Sequence, residues 1–260
     1  MNRLDKELVI RGLVSSRSKA SELIDNKKVL VDGKIITKQS FMCDETNDIK
    51  ILENDILKYV SRAGLKLDHA VKSFDINFND KVVMDVGSST GGFTQVALEN
   101  GARKVIAIDV GTNVMVEPLR SDNRVELHEQ LNIKDAPCSL FKDVDYIVSD
   151  VSFISIKRVI DKVCEQDKKY NMILLIKPQF ECGKDIADKY KGVILDKDIH
   201  ISILKDIFKY LQDRDYHVNN LDVSPIKGGD GNIEYLINVS NMNELNNINI
   251  KTIVDRAFSI

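Results

Sequence analysis

From Asp80 onward, short apolar runs alternate with amphipathic stretches, and this alternation constrains the fold more than any other feature of the chain. The runs at 82–86, 105–109, 146–150, 172–177, 218–225 and 235–239 have strand length and are rich in Val, Ile and Leu. Strands separated by helices pair side by side only through crossovers. The order therefore predicts an α/β fold, a mostly parallel sheet covered by helices on both faces. Ligands of such sheets bind beyond the carboxyl ends of the strands, so the last residue of each run is where chemistry is expected.

The first 58 residues read differently. Leu4, Leu8, Val9 and Leu13 have helical spacing over 4–14, and Ser15 with Ser16 interrupts it. Ser16 is a candidate N-cap for a second helix containing Ala20, Leu23 and Ile24, and Asn26 can end that helix. Val29, Leu30 and Val31 form a short strand. Asp32-Gly33 is a hairpin signal before Ile35 and Ile36, and another strand is expected over 49–52. This predicts a small αβ module at 1–58, a linker at 59–63 and a larger domain at 64–260. An Asn-rich stretch lies at 241–249.

The net charge of -3 argues against a nucleic-acid binder, but its distribution argues for one. Residues 1–40 carry nine Lys and Arg against five Asp and Glu, a basic end on an acidic chain, as expected of a module that holds phosphate backbone. No apolar run approaches the roughly 18 residues of a membrane span, and the first ten residues lack the apolar core of a signal peptide. The expectation is a cytoplasmic protein without a membrane partner. Cys43, Cys138, Cys164 and Cys182 show no CxxC spacing, and His69, His128, His200 and His217 no HxxxH spacing. Neither disulfides nor a metal site are expected. Oligomeric state is not readable.

The first apolar run after Asp80 leads into DVGSSTGGF, from Asp85 to Phe93. A phosphate-binding P-loop would need Lys-Ser/Thr after its glycines, and a dinucleotide loop would need GxGxxG; neither spacing is present. An acid-x-Gly-x-x-x-Gly loop is the form used for S-adenosyl-L-methionine, and 85–91 fit it. The Asp85 carboxylate favours a ligand carrying an ammonium and a sulfonium over a pyrophosphate. Asp109, ending the second run, can accept hydrogen bonds from ribose hydroxyls. The expected cofactor residues are Asp85, Gly87, Ser88, Ser89, Gly91, Gly92, Phe93, Asp109 and Asp150.

Two further runs end in charge: Asp150 within VSDVSF and Lys177 within LLIKPQF. An ammonium closing an apolar strand is costly unless paired. Lys66, ahead of the first run, and Glu234, opening the last, complete two cations and two carboxylates. Cys138, in DAPCS, resembles the nucleophile loop of RNA cytosine-C5 methyltransferases. It precedes an apolar run where that loop should follow one, and the second cysteine of that mechanism is missing, so Cys138 is read as incidental. Base N-methyltransferases carry two prolines where this chain has Val151 and Ser152.

Several segments together resemble a known family. Arg3-Leu4-Asp5, Gly12-Leu13-Val14, Ser16-Arg17, Ala20, Ile24 and VLVDG over 29–33 are similar to the S4 RNA-binding domain. The departures are Lys27, where glycine is frequent, and Gln39, where proline is common; Asn26 is expected to take the left-handed turn instead. Lys66, Asp150, Lys177 and Glu234 match the Lys-Asp-Lys-Glu tetrad of FtsJ-type ribose 2′-O-methyltransferases. An S4 domain fused to an FtsJ-like domain resembles the TlyA (haemolysin A) family, with YVSRAGLKL from Tyr59, SDVSFIS from Ser149, IKPQFE from Ile176 and the stretch 224–236 all matching. Ala63 replaces a frequent glycine, and Lys227 a common arginine. The resemblance implies a Rossmann-like S-adenosylmethionine domain, methylation of cytidine ribose in ribosomal RNA or ribosomal subunits, and phosphate contacts from Arg3, Arg17, Lys19 and Lys28. Members with as short an N-terminus modify the large subunit, with the small subunit a second candidate.

The residue types suit the reaction. A ribose hydroxyl must lose its proton as it attacks a sulfonium methyl group. Either Lys177 takes that proton as a neutral amine, or it stays charged and stabilises the alkoxide while Asp150 or water takes it. Asp150 and Glu234 then orient the lysines, and positioning suffices without a metal. Two rivals remain: a pore-forming or accessory haemolysin, which lacks any apolar hairpin here, and a non-catalytic rRNA-binding protein, which would not need the tetrad.

Overall fold

The computed structural model of the chain describes residues 1–14, 16–54, 57–242 and 248–259. Ser15 and most of the Asn-rich stretch, 243–247, lie outside the described residues. The chain divides into two compact units, Met1–Ser61 and Arg62–Ile260.

In the first unit, β1 (Asn2–Arg3) leads into α1 (Leu4–Ile10), followed by α2 (Arg17–Asp25), β2 (Val29–Val31), β3 (Lys34–Ile35), β4 (Met42–Cys43) and β5 (Ile49–Ile51). α1 is shorter than the expected 4–14. Gly12 turns to φ +67, and the Leu13 amide bonds back to the Leu8 carbonyl, closing the helix. Ser16 caps α2 by accepting from the Lys19 amide at 3.3 Å. Beyond α2 the left-handed residue is Lys27, at φ 59, and not Asn26, at φ -84. The chain reverses one residue later than expected, because Asn26 still closes the helix through its amide to the Glu22 carbonyl. Asp32 and Gly33, both at positive φ, form the hairpin that pairs Val31 with Lys34. β1 pairs with β4, which the alternation pattern did not anticipate because two-residue strands carry no period. Leu4, Leu8, Leu23, Ile24 and Val29 form the core of this unit.

The second unit runs α3 (Ala63–Ser73), β6 (Val82–Val86), α4 (Gly92–Glu99), β7 (Lys104–Ile108), α5 (Glu117–Arg120), β8 (Val125–His128), β9 (Tyr146–Ser149), α6 (Lys157–Cys164), β10 (Asn171–Ile176), α7 (Pro178–Glu181), α8 (Lys184–Lys189), α9 (Lys197–Gln212), β11 (His217–Val223), β12 (Tyr235–Ser240) and α10 (Ile250–Ala257). Among the described residues the sheet order is β11-β12-β10-β9-β6-β7-β8. β8, β7, β6, β9 and β10 are parallel, while β12 runs antiparallel to both β10 and β11. The inner strands are buried on both faces, hence their nearly continuous apolar runs; each fully buried Ile or Leu contributes about 1.5–3 kcal/mol. β8 was not expected: at the sheet edge, against β7, Glu126 and His128 alternate with Val125 and Leu127 and all four are half-buried.

From β6 the chain builds outward through β7 and β8, then returns to place β9 on the other side of β6. Strand order thus reverses between β6 and β9, and a crevice opens beyond their carboxyl ends. Asp109, Asp150 and Lys177 each lie one residue beyond the last strand position of β7, β9 and β10. No described helix is long and apolar enough to cross a membrane.

Candidate active site

At the β6–β9 crevice the backbone approaches closely. Gly87, at φ +84, leaves so little room that a Cβ would lie 3.1 Å from the Asp150 carbonyl oxygen. Gly91, at φ +98, would drive a Cβ to 2.4 Å from Leu119 Cδ1. Both positions therefore require glycine. Behind the loop Asp85 is fully buried. Its Oδ2 accepts from the Thr94 hydroxyl at 2.7 Å, and its Oδ1 has no partner among the described residues. Burial pushes its pKa from 3.8 up to about 7, against the lowering effect of the Thr94 hydrogen bond. The buried Ser88 hydroxyl is also without a partner. Asp109 accepts from the backbone amides of Ser89, at 2.8 Å, and Gly111, at 2.7 Å, which fixes its carboxylate and leaves each oxygen a further lone pair.

A cavity of about 460 Å³ occupies the crevice. Of the residues named from the sequence, Gly87, Ser89, Asp109 and Asp150 line it. Asp85, Ser88, Gly91, Gly92 and Phe93 sit on β6, the loop and the first turn of α4; Phe93 is buried. Sequence reasoning missed Leu131, Asn132 and Ile133, which form the far wall after β8, and Ser152 and Phe153, which follow Asp150. The first three follow an unrecognised edge strand. Phe153 lies within the SDVSFIS motif but was given no role there; it stands at φ 65 with 87% of its surface exposed.

Beside the cavity the four charged residues meet. Lys66, on α3, is 2.7 Å from Glu234 Oε2 and 3.5 Å from Asp150 Oδ2. Lys177 Nζ is 2.6 Å from Asp150 Oδ1 and donates to the Ser152 hydroxyl at 2.8 Å. The result is a chain, Glu234–Lys66–Asp150–Lys177, with alternating charge and nearly complete burial. Its equal numbers of cations and carboxylates answer the cost of removing each from water. The backbone sets Lys177 in place: as the residue before Pro178 it stays extended, at φ -114, so its side chain leaves from the strand end and not from a helix. Gly228 lies against Glu234, where a Cβ would come within 2.7 Å of Oε1.

The four basic residues named in the first unit are engaged with their own unit. Arg3 and Arg17 both reach Asp5, at 3.1 and 2.7 Å, while their side chains stay 48% and 63% exposed. Burial would push Asp5 up, but these two guanidinium groups hold it below the ordinary carboxylate value. The Lys19 ammonium donates to the Tyr59 carbonyl at 2.8 Å, and that of Lys28 to the Glu53 carbonyl at 3.2 Å. Cys138 is exposed on a short 3-10 turn and does not line the cavity. Among the described residues no group of three or more His, Cys, Asp or Glu is placed to hold a metal ion.

Comparison with known proteins agrees with this architecture. Residues 59–240 match the FtsJ-like methyltransferase family, and residues 2–49 match the S4 domain. The chain is 41% identical over 237 residues to hemolysin A of Brachyspira hyodysenteriae, covering 90% of this chain and 98% of that one. It is 35% identical over 237 residues to the 16S/23S rRNA (cytidine-2′-O)-methyltransferase TlyA of Mycobacterium tuberculosis, covering 90% and 88%. The solved structure of a hemolysin-like protein from Streptococcus thermophilus superposes with a TM-score of 0.77 at 34% identity, covering 99% of this chain and 95% of that one.

Proposed function

This chain belongs to the FtsJ-like methyltransferase family, and from that premise we propose that it methylates the ribose 2′-hydroxyl of a cytidine in ribosomal RNA, using S-adenosyl-L-methionine. The observation that carries the reading is the buried Glu234–Lys66–Asp150–Lys177 chain at the rim of a cavity formed where strand order reverses. The residues present fit the cofactor. Asp85 Oδ1, buried without a partner, is an acceptor for an ammonium group. Asp109 offers its remaining lone pairs to ribose hydroxyls, and Ile108, Leu131 and Ile133 offer an apolar slot for a base. The cofactor supplies an activated methyl group.

The chain's own residues handle the acceptor. An ammonium has three N–H donors; Lys177 gives one to the Ser152 hydroxyl and is ion-paired with Asp150 Oδ1 at 2.6 Å, which leaves it donor capacity for an incoming hydroxyl oxygen. The 2.6 Å contact with Asp150 suits a charged Lys177 that stabilises the developing alkoxide, with Asp150 or water taking the proton. Lys66, itself held by Glu234, holds Asp150 from the other side. Phe153, exposed beside this group, offers a ring on which a base can stack. Residues 1–58 serve as the RNA-holding module, with Arg3, Arg17, Lys19 and Lys28 as phosphate contacts, 59–63 as linker and 64–260 as catalytic domain. The site of action is the cytoplasm.

Transfer of labelled methyl to ribosomal subunits and free ribosomal RNA, followed by nucleoside analysis, tests the reading. The expected product is 2′-O-methylcytidine, and the labelled particle identifies the subunit. A methylated base would remove the tetrad argument. Cofactor binding without transfer to any RNA would reduce the protein to a binding role.

A further inference from the structure

One partly buried carboxylate near the site, Glu181, takes no part in the tetrad. Glu181 ends α7, four residues after Lys177, the extended residue that precedes that helix. Its Oε2 accepts from the Ser155 hydroxyl at 2.6 Å, and its Oε1 from the Ile156 amide at 2.7 Å. Ile156 is the N-cap of α6 and offers no capping side chain of its own. The carboxylate therefore satisfies an amide at the start of that helix, where its charge is also favoured.

The turn 177–181 grips the loop after β9 along its length. Lys177 holds Asp150 and Ser152. The Phe180 ring lies 5.3 Å from that of Phe153. Glu181 holds Ser155 and Ile156. Between these grips Phe153 sits in the left-handed region, a strained conformation for a residue with a Cβ, and its ring is exposed. Such strain persists only where the surroundings over-determine it.

We propose that Glu181 is a positioning residue: it pins the far end of the 151–156 loop, so that Ser152 stays on Lys177 and Phe153 stays at the mouth of the cavity. The claim rests on the methyltransferase reading for its catalytic consequence, but not for its structural one. Burial raises the pKa of Glu181 despite its two donors, which fits a carboxylate enclosed by the fold rather than a solvated surface group.

The test compares Glu181→Ala and Glu181→Gln with the wild type in three readouts: hydrogen exchange of 151–157, methyl transfer to ribosomal RNA, and affinity for S-adenosylhomocysteine. A glutamine can keep both contacts, accepting from the Ile156 amide and donating to Ser155 Oγ. Glu181→Ala is expected to speed exchange at Ile156 and its neighbours at least tenfold, leave exchange in β6, β9 and β10 unchanged, and lower kcat about tenfold or more. Its cofactor affinity should fall by less than kcat does, because Asp109, Leu131 and Ile133 lie on other loops and 151–154 line only one side of the cavity. Glu181→Gln should restore both exchange and kcat. Wild-type exchange in Glu181→Ala, or faster exchange with unchanged kcat, would overturn the proposal. Loosening of the whole domain that glutamine fails to rescue would reduce Glu181 to a folding role and overturn it equally. Were the wild type to methylate no RNA, the functional reading would fall, and exchange at 151–157 alone would decide whether Glu181 positions the loop.

Discussion

Lys177 closes a strand of five buried apolar residues, Met172 to Ile176, and its ammonium is tolerable there because Asp150 lies 2.6 Å away. Replacing it with alanine should lower kcat by at least about 10²–10³ while cofactor affinity, measured by calorimetry, moves less than about threefold. Substantial transfer by that variant would take Lys177 out of the chemistry. Asp85 is the second residue whose behaviour follows from burial. Its carboxyl ionises near 3.8 when the chain is unfolded and near 7 when folded, so its contribution to stability is fully present below 3.8 and lost as pH rises through 7. Ligand-free Asp85→Asn should therefore be more stable than wild type at pH 8, by up to about 4 kcal/mol at roughly 1.4 kcal/mol per unit. A ligand ammonium favours the ionised form, so wild-type affinity for S-adenosylhomocysteine, whose amino-acid end carries one, should tighten as pH rises from 6 to 8, and Asp85→Asn should flatten that profile. A flat wild-type profile would show that Asp85 does not meet the ligand's ammonium.

The ends of the helices carry local chemistry that can be tested one element at a time. α2 is followed by Lys27 at φ 59, a conformation that costs a side-chain-bearing residue about 1 kcal/mol relative to glycine. Lys27→Gly should stabilise the first unit by roughly 0.5–1 kcal/mol in denaturant titration. Asn26→Gly should not stabilise it, because Asn26 is at φ -84 and closes the helix. Equal effects would mean that the turn is not built as described. Gly87 and Gly91 are the same argument in reverse: a Cβ there meets the Asp150 carbonyl or Leu119, so alanine would disturb the cavity floor. Elements with a strong period or a special turn residue were legible beforehand, among them β6, the hairpin at Asp32-Gly33 and the Ser16 cap. β8 was not, since an edge strand half-exposed on both faces shows no apolar run, and it hid the wall formed by Leu131, Asn132 and Ile133.

At the scale of the whole molecule, the basic excess of residues 1–40 supports the proposal that the first unit holds phosphate. Arg17 also holds the buried Asp5, so Arg17→Ala should cost stability as well as RNA affinity. Lys28, which among the described residues donates to a backbone carbonyl at 3.2 Å, is the cleaner probe. Lys28→Ala should weaken RNA binding and reduce the slope of log affinity against log salt by about one. An unchanged slope in both variants would remove the first unit from the RNA contact. What the sequence alone determined is whatever depends on neighbours along the chain: the strand–helix alternation, the glycines of the loop, the pre-proline Lys177, and the charged residues one step past β7, β9 and β10. Backbone sterics and side-chain period act over a few residues, so they are written in order. What only the tertiary structure decided depends on strand order and register. Lys66 meets Glu234 across 168 positions, Lys177 finds Ser152, Glu181 reaches the start of α6, and Arg3 and Arg17 converge on Asp5. Apart from Arg3–Asp5, which lie two residues apart, each of these contacts exists because folding cancels a sequence separation that no local pattern records.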